Sequence, residues 1–115
     1  MTVLGKFINS LTTGIGTTDT TIYTAPAGDA CIIGINIAAL DDAGVQVSIK
    51  VTDVSDSNKT VYFGKNIPIP TGSSLQLLDG QKIVLEEGDY IQVKCENNVT
   101  NGVDVTVSAI EKVNL

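Results

Sequence analysis

"GVQVSIKVTDV", residues 44–54, is the stretch on which the fold turns. Val45, Val47, Ile49 and Val51 occupy one phase of a strict alternation, and Gln46, Ser48, Lys50 and Thr52 the other. Successive side chains of a β-strand point to opposite faces, so this pattern makes one apolar face and one wet face. A helix would scatter the same four aliphatics around its circumference. Two further runs repeat the pattern. In "DYIQVKCEN" (89–97) Ile91, Val93 and Cys95 oppose Gln92, Lys94 and Glu96. In "VDVTVSAIEKV" (103–113) Val103, Val105, Val107 and Ala109 oppose Asp104, Thr106 and Ser108.

Working outward, "TTIYTAP" (20–26), "ACIIGINIAAL" (30–40), "KTVYFGKNI" (59–67), "SSLQLLD" (73–79) and "QKIVLEE" (81–87) read as further strands. The second of these places Cys31, Ile33, Ile35 and Ile37 in one phase. Turn chemistry separates the runs: Pro26 to Asp29, Asp41 to Gly44, Ser55 to Asn58, Pro70 to Gly72, Asp79-Gly80, Glu87 to Asp89 and Asn101-Gly102. About eight strands at this spacing predict an all-β fold, an antiparallel two-sheet β-sandwich with jelly-roll wiring as its nearest variant. The abundance of Val, Ile and Thr agrees with it.

The first eighteen residues stand apart. Val3, Leu4, Phe7, Ile8 and Leu11 sit at helical spacing, but Gly5, Gly14, Gly16 and the threonine pairs favour an extended arm or edge strand. The reading adopted is an arm or edge segment over 1–18, preferably an arm, and a sandwich domain over 19–115. The five apolar residues of that segment are the candidate interface.

Charge excludes several partners. All seven basic residues are lysines, so no bidentate arginine fork is present, and the net charge of −6 repels polyanions. Nucleic acid and anionic membrane surfaces are therefore not expected partners. The run from Ala30 to Leu40 is too short to cross a bilayer, and no apolar stretch follows Lys6 to make a secretory signal, so cytoplasmic synthesis is expected. Under the reducing conditions of that compartment Cys31 and Cys95 read as two free, buried thiols, with a disulfide between them as the alternative.

Routes to an active site close quickly. The chain has no histidine, which removes the Ser-His-Asp and Cys-His arrangements and imidazole metal ligands. "GIG" at 14–16 lacks the strand and helix that make a phosphate loop. The acidic groups Asp41-Asp42, Asp53 with Asp56, and Glu86-Glu87 with Asp89 lie at turns, where short acidic side chains bond to the backbone, so neither catalysis nor a calcium site is assigned. No enzyme activity, no metal and no cofactor is expected. Tyr23, Tyr62 and Phe63 read as core or strand-edge residues rather than a sugar-binding platform.

The order of these segments resembles that of small virion proteins of tailed bacteriophages. The carriers are "TIYTAPA" (21–27) before an aliphatic strand, then "NIPIPTGSSLQLLDGQKIVLEEGDYIQVKC" (66–95), and the closing "VDVTVSAIE" (103–111). The likeness spans residues 14–111, while the first thirteen match nothing in that group. It implies a structural role, with capsid decoration (cement) on the outer shell preferred. It also implies the major capsid protein or other virion proteins as partners, and a homo-oligomer, guessed to be a trimer. A tail, neck or fibre-attachment subunit is the alternative, and a carbohydrate-binding module the remote one.

Overall fold

A computed structural model describes residues 5–78 and 81–113. Nine strands follow one another: β1 (Lys6–Ile15), β2 (Thr20–Thr24), β3 (Ala30–Ala39), β4 (Val45–Asp53), β5 (Lys59–Ile69), β6 (Ser74–Gln76), β7 (Ile83–Leu85), β8 (Tyr90–Cys95) and β9 (Val103–Glu111). They form two antiparallel sheets packed as a sandwich. The first runs β1-β9-β3-β6, with β7 also on β3; the second runs β2-β8-β4-β5. Short β6 and β7 share one edge of β3, opposite Asn36–Ala38 and Ala30–Ile32 respectively. The Asp79-Gly80 turn expected between them lies outside the described residues.

The three alternating runs build the centre. Val45, Val47 and Ile49 of β4 and Ile91, Val93 and Cys95 of β8 line the inner face of the second sheet, and Val103, Val105 and Val107 of β9 that of the first. Burying a side chain of this size contributes on the order of 1.5–3 kcal/mol, which is why these positions dominate the fold. Ile32, Ile35 and Ile37 of β3 complete the packing.

One of the expected strand phases is broken by irregular pairing. The β3–β9 register shifts between Ile32 and Gly34, so Ile32 and Ile35 both face inward while Cys31 and Ile33 face out. Cys31, Ile33, Ile35 and Ile37 therefore do not share one face. The β4–β5 register also shifts on both sides of Ile49, but the extra residues lie on β5. β4 pairs β8 without a break, and half-buried Val51 keeps the phase of Ile49, opposite Ile91 and against the core. A bulge changes the phase of the strand that carries the extra residue, as in β3, and leaves its partner's alternation intact, as in β4.

Residues 6–15 are neither helix nor free arm. They pair with β9 from Lys6↔Glu111 to Ile15↔Val103, making β1 the edge strand of the first sheet. Ile8 points inward and packs against the core, whereas Phe7 and Leu11 point outward.

Candidate interaction face

The outer surface of the first sheet carries an apolar row that the pairing register assembles from four strands. Phe7 faces Ile110, Ile110 faces Cys31, and Cys31 faces Val84. At its ends Phe7 is 74% and Val84 71% exposed, far more than large apolar side chains on paired strands need to be. Two residues along, Asn9, Ser108 and Gly34 form a polar row, held by a hydrogen bond from Ser108 Oγ to Asn9 Oδ1 at 2.8 Å. A third row joins Leu11, Thr106, Asn36 and Gln76. Together these rows hold no carboxylate and no lysine, in a chain of net charge −6. These three rows can approach a neighbour without themselves desolvating a charge.

Only part of the candidate interface drawn from sequence belongs to this face. Phe7 and Leu11 lie on it; Ile8 does not, because it faces the core. Val3 and Leu4 lie outside the described residues. Sequence reading missed Ile110, Cys31 and Val84, since each lies beside core positions and only the register shows that they line up.

The two cysteines are free and lie on different sheets. Cys95 is buried, donates its thiol hydrogen to Ile15 O at 3.3 Å, and has its thiol pushed up by burial. Cys31 is half-buried on the outer face, so the expected second buried thiol is a partly accessible one.

The acidic turns prove to be fasteners between loops. The Asp41 carboxylate accepts N–H bonds from Thr100, Asn101 and Gly102 at 3.0, 2.8 and 2.9 Å, tying the β3–β4 loop to the β8–β9 loop. These donors hold its carboxyl below the ordinary value, the Asn101 N–H contributing most. Asp89, buried, accepts from Val54 N–H and Glu86 N–H at 3.1 and 3.0 Å. Asp53 accepts from both the N–H and the hydroxyl of Ser55. Asp53, Glu86 and Asp89 come within 4.8 Å of one another, a grouping across two loops that the linear spacing hides. The backbone donors already account for the placement of Asp53 and Asp89, so this cluster is read as structural.

No protein-family model and no curated protein sequence matches the chain.

Proposed function

We propose that this protein is a non-enzymatic structural component of a tailed-phage virion, acting as a decoration subunit on the outside of the shell. The observation that carries the reading is the three adjacent uncharged rows on the outer face of the first sheet, with the exposed row from Phe7 to Val84. A domain that works by contact needs a surface of this kind and no reactive constellation. The segment order from "TIYTAPA" to "VDVTVSAIE" supplies the virion context. Partners under this reading are the major capsid protein or neighbouring virion proteins, and the chain acts from the particle surface.

Two measurements test it. Quantified protein content of purified particles should give a copy number on the scale of the shell subunit; a number on the scale of the neck or tail supports the alternative, and absence from the particle defeats both. Particles stripped of the protein should rupture at a lower temperature and recover when it is added back. Val84→Lys, which places a charge at one end of the row, should bind the shell at least about tenfold more weakly than the wild-type chain.

A further inference from the structure

The two long edges of the sandwich are treated differently by the sequence. Edge β5 carries Lys59 and Lys65, a bulged register around Ile49–Gly64, Asn66 in a left-handed conformation (φ 53°), and Pro68. Those are the devices by which an open strand edge is kept from pairing with another chain. Edge β1 has none of them between Phe7 and Leu11: no charge, no proline and an unbroken register with β9.

The hydrogen-bonding direction of that edge can be worked out from the register. Leu77 N–H donates to Ile35 O, and Ala39 N–H to Ser73 O, so the odd-numbered residues in this half of β3 turn their main-chain groups away from β9. The even-numbered ones, Asn36 and Ala38, bond Thr106 and Asp104 of β9. The odd-numbered residues of β9 therefore turn to β1, where they meet Ile8, Ser10 and Thr12. Phe7, Asn9 and Leu11 are left with N–H and C=O groups facing the open edge. These are also the residues whose side chains lie on the outer face. Among the described residues Phe7 and Leu11, at 74% and 72%, are the two most exposed large apolar side chains.

We propose that β1 pairs antiparallel with β1 of a second copy of this chain about a two-fold axis through Asn9. In that register Phe7 stands opposite Leu11 of the second copy, and Leu11 opposite its Phe7. Both exposed apolar residues are covered twice over by one symmetry operation, as an isologous contact requires. Lys6 falls opposite Thr12, so no like charges oppose each other across the strand pair, which matters between two chains of charge −6. Asn9 meets its own copy and can exchange side-chain amide hydrogen bonds on the axis. The result joins the two first sheets into one continuous surface, with Ile110, Cys31 and Val84 of each copy still open. The pairing is two-fold, unlike the trimer guessed from resemblance, and it stands or falls independently of the virion reading.

Sedimentation of the purified chain tests it without any particle. A seam of this length is a small interface, so the measurement runs up to about 100 µM. The wild-type chain should be a dimer there. Phe7→Lys alone and Leu11→Glu alone should each weaken association at least about tenfold, because a charge then faces an apolar partner. The double variant Phe7→Lys with Leu11→Glu should regain the dimer, since the proposed register sets each new lysine opposite a new glutamate. Far-UV circular dichroism confirms that each variant is folded. A monomeric wild-type chain at that concentration overturns the proposal. So does a dimer indifferent to both single changes, or a double variant no better than the singles.

Discussion

Tyr23 on β2 donates its phenol O–H to Glu111 Oε2 on β9 at 2.6 Å, a bond that crosses from one sheet to the other. The ring is buried, and burial raises the phenol above its ordinary value of 10.0, with the Glu111 hydrogen bond and charge adding in the same direction. A folded value above the unfolded one means the native chain keeps a proton that the unfolded chain releases. The contribution is therefore complete below pH about 10 and is lost as pH rises further, at up to about 1.4 kcal/mol per pH unit. Lys50 is raised as well, chiefly by its hydrogen bond to Asp19, and loses stability in the same direction. Tyr23→Phe should cost about 1–3 kcal/mol at neutral pH, since it leaves a carboxylate short of its partner. It should also flatten the decline in stability above pH about 10. Urea unfolding at neutral and alkaline pH reads both effects; an unchanged alkaline slope would count against this bond.

Asp41 and Gly102 form a second pinned point. Gly102 has φ 75°, and a Cβ there would run into the Ile15 carbonyl, so Gly102→Ala should destabilise by more than about 1 kcal/mol. Asp41→Ala should release the β8–β9 loop, seen as faster amide exchange at Thr100, Asn101 and Gly102 with the core amides still protected. The lowered Asp41 value works in the opposite sense to that of Tyr23. Its contribution is present above the unfolded value of 3.8 and lost as pH falls through the folded one. The alanine variant should therefore show a shallower loss of melting temperature at acid pH than the wild-type chain.

Alternation made the sandwich legible, and with it the core residues Val47, Ile49, Ile91, Val93, Val105 and Val107, all of which are buried. It failed wherever a bulge changed phase, as at Ile32–Gly34, because nothing local in "CIIGIN" says which aliphatic steps out of line. At β1 it left an arm or an edge strand open and favoured the arm, because of Gly14 and the threonines, although eight residues of β9 pair with this segment. Candidate interaction residues suffered most. Ile110, Cys31 and Val84 are adjacent only through long-range register, whereas Phe7 and Leu11 stood out as apolar residues with no core phase to join.

Val93 has no exposed surface and sits between β2 and β4 in the second sheet. Val93→Asp would bury an unpaired charge there, at a cost of several kcal/mol set against a total stability of about 5–15 kcal/mol. The variant should lose its cooperative melting transition and its β signature in circular dichroism.

Thiol chemistry should separate the cysteines. Under native conditions an aromatic disulfide reagent should modify Cys31 and spare Cys95, whose thiol is buried and pushed up. In denaturant both should react. Cys95→Ala should cost about 1–2 kcal/mol from the cavity it leaves, and Cys31→Ala much less. Equal native reaction rates at the two sites would contradict their placement.

Removing residues 1–13 tests how far β1 belongs to the domain. A free arm could be cut away without consequence, but here the cut strips β9 of the partner it holds from Lys6 to Thr12. It also takes Ile8 from the edge of the core and the Ser10 hydroxyl from Ile22 O, to which it donates at 3.0 Å. The newly open edge would be that of β9, where Val105, Val107 and Ala109 lost the strand that covered their main-chain groups. An open strand of this composition recruits other chains. The truncated protein should therefore melt several degrees lower than the intact chain and scatter light on warming, in proportion to its concentration. Ser10→Ala should show the small loss due to one hydrogen bond, about 1 kcal/mol, without the scattering. A truncated chain that melts and stays clear like the intact one would return β1 to the status of an arm.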